Sequence, residues 1–285
     1  MHVHGVDFSG SAEPGEDIWL VSGRCPGSPS ADGDLELRVT AARPASEAFD
    51  ATGREPVLEG LRRFLRGEHG GATARQVTGL DCSFGLPATV LPDEVTATGD
   101  WRAALEWVRE TFADADGRSF QSALKERARG SDADGVELKR ATDGPTGASS
   151  PYSFITRYQT LHGLRDLVGP LVERDAVAVR PMIPDVADPS LVEVYPAATL
   201  RDLGLPDRKY KGDQYPGART RRERILDGVL DRGVTLEGVS RERILADSGG
   251  DALDALVGAV AVARNLPDLA IDRARCDPIE GYIYV

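Results

Sequence analysis

Three short β-type runs in succession, at residues 2–8, 17–22 and 35–41, open the chain. Strands joined by short connections pair antiparallel with their sequence neighbours, because a parallel pair needs a crossover of a dozen or more residues. The expected start is therefore a three-strand antiparallel meander. In the third run Leu35, Leu37 and Val39 alternate with polar residues, the period of a strand with one buried face. The link at residues 25–34 is rich in Gly, Pro and Ser and reads as a turn.

Beyond the meander, strand and helix patterns alternate. Residues 56–66 carry Val57, Leu58, Leu61, Phe64 and Leu65 at helical spacing, with Pro56 in the first turn. A strand is expected at 75–81 and helices at 101–112 and 118–129. Residues 130–150 are polar and Gly-rich without periodicity and read as a loop, so residues 95–150 are expected to form a helical and loop insertion. A long amphipathic helix is expected over 152–172, short strands over 176–180 and 191–195, a basic-faced helix over 219–230 and a final helix over 251–265. This mixture predicts an α/β sandwich of layers around one sheet. The length of 285 residues suits one large domain, and the whole chain, 1–285, is read as one.

Charge narrows the function classes. The chain has 34 basic and 46 acidic residues, a net charge of −12, and its lysines are Lys125, Lys139, Lys209 and Lys211. Such a composition fits a protein adapted to concentrated salt, where the Debye length falls to about 3 Å at 1 M; an acidic, Arg-rich compositional bias fits it too. Binding driven by contact with a nucleic-acid backbone relies on a basic surface, so a polyanion would have to meet a local site or a metal ion here. Cys25, Cys82 and Cys276 are too scattered for a disulfide framework or a thiolate zinc site. No apolar stretch approaches the roughly 20 residues of a membrane span, and the first residues lack a basic segment followed by an apolar core. A cytoplasmic protein without membrane association is the expectation.

Acidic residues fall where apolar runs end. Asp7 ends the first strand and Asp81 the strand after the first long helix, while Glu193 lies inside Leu191-Val192-Glu193-Val194-Tyr195. Buried strands carry a carboxylate only when it is capped, paired or bound to a metal. Each has a plainer explanation when taken alone: Asp7 and Asp81 could cap turns, and Glu193 could face solvent on an edge strand. Asp251 and Asp254 open the final helix three residues apart, hence on one face, and Ser248-Gly249-Gly250 before them permits close approach of a backbone or ligand. Lys209 and Lys211 share one turn, and Arg219, Arg221, Arg222 and Arg224 follow it. Lys209, Lys211 and Arg222 are candidates for phosphate contact, or members of a solvated basic face. His162, near Tyr158 and Gln159, is a candidate proton carrier or a core histidine, and His2 and His4 lack a third nitrogen ligand for zinc.

The segments GVDFSG, LDCSFGLP, VEVYPAATL, RKYKG, DALDA and IEGYI occur in this order between residues 5 and 283. As an ordered set they resemble a family of predicted nucleases with an RNase H-like fold, domain of unknown function 429. The resemblance implies a three-layer RNase H-like fold and a metal-dependent nuclease acting on DNA or RNA. It implies two Mg²⁺ or Mn²⁺ ions, with Asp7 bridging them and Asp81 plus Asp251 or Asp254 completing the ligands. Glu193 is then a further ligand or a group that orients a water. Two alternatives remain: a catalytically inactive RNase H-like binding scaffold, and an actin-like ATP-dependent phosphotransferase whose first phosphate loop GVDFSGS resembles.

Overall fold

The computed structural model describes residues 1–26, 35–68, 75–184, 188–269 and 276–285. Its sheet contains β1 (His2–Asp7), β2 (Trp19–Arg24), β3 (Leu37–Pro44), β4 (Gln76–Asp81), β5 (Ala178–Arg180), β6 (Ser190–Val194), β7 (Val234–Leu236) and β8 (Ile283–Tyr284). The spatial order is β5-β6-β4-β1-β2-β3-β7, and β8 pairs with β6 past the end of β5. The meander forms as expected, β1 to β2 to β3, both pairs antiparallel. Part of the β2–β3 turn, residues 27–34, lies outside the described residues. From β3 the chain crosses through the helix Arg54–Leu65 to β4, which runs parallel to β1. Strand β6 lies parallel to β4.

Helices cover both faces. On one face the helices Arg54–Leu65, Trp101–Thr111 and Gly117–Arg129 bury Leu58, Leu61, Trp101 and Phe120 in one core with Val6 and Leu80. The helices of residues 95–150 are thus part of this core. On the other face Val3, Val77, Val192 and Val194 pack under the helices Ala218–Leu230 and Asp251–Asn265.

Strand alternation assigns each acidic residue to a face. Val3 and Gly5 point to the Asp251–Asn265 helix, and so does Asp7, because side chains two apart share a face. By the same rule Val77, Gly79 and Asp81 share that face on β4. On β6, Val192 and Val194 take the helix face, which turns Glu193 to the opposite one.

Glycines let the last helix descend onto the sheet. A Cβ on Gly5 would sit 2.0 Å from the Ala255 carbonyl oxygen and 2.4 Å from the Ala259 nitrogen. A Cβ on Gly79 would sit 2.7 Å from Val262 Cγ2 and 3.0 Å from the Gly258 oxygen. Only a residue without a side chain fits at either point.

The expected helix over 152–172 begins later, at Arg157, and is not uniform. An α-turn Arg157–His162 passes into a π-helical stretch, Gly163–Val168, then into Gly169–Glu173. Pro170 has no N–H for the carbonyl of Asp166, and Arg62 donates to that oxygen instead at 2.7 Å. The helices Pro196–Asp202 and Arg241–Leu245 and the short strands β7 and β8 were not anticipated. No helix among the described residues is long and apolar enough to cross a membrane.

Candidate metal centre

Asp7 and Asp81 are register partners at the C-terminal ends of adjacent parallel strands. Gly250, with φ of 84°, turns the chain into the last helix, and the seating of that helix on Gly5 brings Asp254 over the two strand ends. Carboxylate oxygens of Asp7, Asp81 and Asp254 lie within 4.8 Å of one another. Asp7 and Asp254 are buried and Asp81 is half-buried. Asp251, one turn earlier on the helix, is more open. It is not needed to cap the helix, since Asp247 accepts the Ala252 N–H at 2.8 Å.

Lys211 enters this cluster. Its Nζ lies 2.6 Å from Asp254 Oδ2, 3.3 Å from Asp251 Oδ1 and 3.8 Å from Asp7 Oδ2. The Tyr210 hydroxyl donates to the other oxygen of Asp254 at 2.6 Å. Gln159 ties the strand ends together, its Nε2 donating to the carbonyl oxygens of Phe8 at 2.8 Å and Asp81 at 2.7 Å.

Crowded carboxylates in a poorly hydrated place resist ionisation. Burial holds the Asp7 carboxyl well above the usual range, with Asp254, Asp81 and Asp251 adding to it and Lys211 opposing. Burial, then Asp254, pushes Asp81 up to about 7. Asp251 is raised by burial and by Asp247. Burial alone would lower the Lys211 ammonium, but Asp254 and Asp7 outweigh it and hold it well above its ordinary value. Such a site calls for positive charge. Its donors are hard oxygens, the ligand type of Mg²⁺ and Mn²⁺, and a cation already stands among them in the form of the lysine ammonium. Asp7, Asp81 and Asp254 fit a divalent ion, with Asp251 at the mouth.

Other expected members are placed differently. Glu193 is no part of the cluster, because strand parity turns it through the sheet. There both its oxygens accept from Arg140, at 2.5 and 2.8 Å, and one also accepts the Phe84 N–H at 2.8 Å. Arg222 is not a surface phosphate contact: it is buried, and its guanidinium donates to the carbonyl oxygens of Tyr210 at 2.8 Å and Ser248 at 3.3 Å, pinning the Lys211 loop to the segment that leads into the last helix. Lys209 is exposed, in the left-handed region with φ of 59°, beside the cluster in sequence. His162 is buried and its Nδ1 lies 2.6 Å from Asp166 Oδ2, away from the cluster's carboxylates in its bonding. Burial lowers His4 to about 3, and its Nδ1 meets Ser22 Oγ at 2.9 Å, an interior histidine. In the loop after β1 a Cβ on Gly10 would lie 2.4 Å from the Tyr158 backbone, and Arg54 donates to the carbonyl oxygens of Gly10 and Ser11.

Sequence reasoning missed Tyr210, Gln159 and the Arg140–Asp143 pair. Arg140 and Asp143 lie in the stretch read as a loop, and Asp143 Oδ1 accepts from Arg140 at 2.7 Å with both side chains buried. Glu280, within IEGYI, accepts the N–H groups of Ala88 and Ala141, each at 2.6 Å, and so closes the chain over Arg140.

A family model described as a protein of unknown function (DUF429) matches residues 68–280. The matched span includes Asp81, Lys211, Asp251 and Asp254 and begins after Asp7. No curated protein and no solved structure matches the chain.

Proposed function

The chain belongs to the DUF429 family, whose model covers about three quarters of it, and from this premise we propose that it is a metal-dependent nuclease of RNase H-like architecture that hydrolyses phosphodiester bonds. The observation that carries the reading is the convergence of Asp7, Asp81 and Asp254 within 4.8 Å at the ends of two parallel strands and the start of one helix. The strand order β3-β2-β1-β4-β6, antiparallel through β1 and parallel beyond it, supports the architecture.

Two bound Mg²⁺ or Mn²⁺ ions would supply Lewis-acid stabilisation for in-line displacement at phosphorus. The chain's own residues set the stage. Asp7, whose oxygens lie within reach of both Asp81 and Asp254, would be one of the residues that hold the metal. Asp81 and Asp254 complete the set, Tyr210 fixes the rotamer of Asp254, and Gln159 holds the two strand ends in register. Lys209, exposed and two residues before Lys211 in the chain, is the residue we assign to meet a phosphate of the nucleic acid.

The test is a cleavage screen over single strands, duplexes, hybrids and branched junctions with Mg²⁺ or Mn²⁺ at high salt. Cleavage is expected to need the metal and to fall by several orders of magnitude in Asp7→Asn, since metal-ion stabilisation is worth several kcal/mol and each 1.36 kcal/mol is about tenfold. Full metal-dependent cleavage by Asp7→Asn would overturn the reading. One observation favours a second reading, an inactive binding scaffold: Lys211 already supplies a counter-charge to the acids. Metal binding without turnover on any substrate would favour it.

A further inference from the structure

We propose that Lys211 is a tethered counter-ion of the acid cluster, one that a divalent ion must displace, so that this side chain sets the metal affinity of the site. The inference rests on the nuclease reading for the identity of the incoming ion.

Three observations carry it. The ammonium lies among Asp254, Asp251 and Asp7 at 2.6, 3.3 and 3.8 Å, so it uses oxygens that an ion held by Asp7 and Asp254 would need. An oxygen 2.6 Å from an ammonium has no room for a second cation on the same side. The backbone that carries it is anchored on both flanks: Tyr210 through its hydroxyl to Asp254 and its carbonyl to Arg222, and Gly212 through its N–H to the Ser248 oxygen at 2.7 Å. The arm, by contrast, is not packed in along its length, for the Lys211 side chain is 45% exposed against 5% for Asp254.

A fixed backbone with a flexible cationic arm is an intramolecular competitor. Its effective concentration, in the millimolar range or above for a short tether, does not fall on dilution. One unit charge also neutralises the crowded acids less completely than divalent ions do, so exchange is favoured once the metal is abundant. After displacement the ammonium swings out towards solvent on its four-carbon stem. A phosphate bound there would hold it out, and by linkage would tighten the metal.

The experiment titrates Mn²⁺ alone into the full chain by calorimetry, without nucleic acid, for the wild type, Lys211→Met and Lys211→Arg. Lys211→Met is expected to bind Mn²⁺ about tenfold more tightly or better, and to melt lower than the wild type when metal-free, with the loss recovered on adding Mn²⁺. Lys211→Arg keeps the charge and is expected to stay near the wild type. A second measurement needs no variant: amine acetylation read by mass spectrometry should modify Lys211 slowly in the metal-free protein and faster with Mn²⁺, with Lys209 as the internal reference. Equal or weaker Mn²⁺ binding by Lys211→Met, or Lys211 acetylation that Mn²⁺ leaves unchanged while binding is measured, overturns the proposal and spares the metal site. Absence of Mn²⁺ binding in every protein overturns the nuclease reading and the competition with it.

Discussion

Arg140 grips both oxygens of Glu193, at 2.5 and 2.8 Å, with 1% and 3% of the two side chains exposed. Asp143 binds the same guanidinium from its other side. Loss of Glu193 leaves the buried guanidinium with Asp143 as its remaining charge partner and strips the N–H groups that faced Glu193 of their acceptors, and breaking a buried pair costs about 3–5 kcal/mol. Glu193→Ala is therefore expected to lower urea-unfolding stability by about that much, where Asp251→Asn does not. A Glu193→Ala protein of normal stability would show that Arg140 finds other compensation.

Asp254 and Asp251 share a helix face but not a role. Asp254 is within reach of both Asp7 and Asp81, whereas Asp251 is not part of that mutual triad and is the more open of the two. Asp254→Asn should weaken Mn²⁺ binding about tenfold more than Asp251→Asn, roughly 1.4 kcal/mol. Calorimetry decides it, and equal losses would place both carboxylates on the metal.

Asp81 titrates near 7 in the folded protein and near 3.8 in an unfolded chain. The folded state holds its proton more tightly, so this group adds stability that is fully present below about pH 4 and lost as pH rises through 7. The metal-free melting temperature of the wild type, compared with that of Asp81→Asn, should fall across that window. Mn²⁺ should reverse the fall, because a metal selects the ionised carboxylate. A difference independent of pH would mean that Asp81 is already ionised without metal.

Gly5→Ala would drive a methyl group into the backbone of the last helix, 2.0 Å from the Ala255 oxygen. Overpacking of this kind costs about 1–3 kcal/mol or more. Because that helix carries Asp254, the variant should also bind Mn²⁺ more weakly, although Gly5 touches no ligand. Loss of stability with unchanged affinity would show that the helix yields without moving its first turn.

The net charge of −12 bears on the medium the fold tolerates. Unscreened repulsion destabilises a compact state. The melting temperature should rise from low to molar salt, and an unchanged dichroism melt would assign the acidity to composition alone.

Asp7 and Asp81 were legible because each closes an apolar run, where a charge demands a partner. Asp254 was legible through its three-residue spacing from Asp251. The face of Glu193 was also present in the sequence, in the valines on either side of it, which claim the opposite surface of the strand. Its partner was not, because Arg140 lies in a stretch without periodicity and meets Glu193 only through the folded sheet. Arg222 looked like surface charge because its helix is basic on several sides; its burial depends on a loop that it holds in place. Strands β7 and β8, of three and two residues, are too short to carry a period.

The contact of the last helix with Gly5 has a consequence in time. A ribosome delivers Asp7 well before Asp254, and Gly5 and Ala255 meet only once the helix Asp251–Asn265 has emerged. Until then the two strand-end carboxylates, Asp7 and Asp81, are neighbours on β1 and β4 without Asp254. The three carboxylates come together only when this helix docks, so a nascent chain that has not yet reached Asp254 lacks one of the three acids of the cluster.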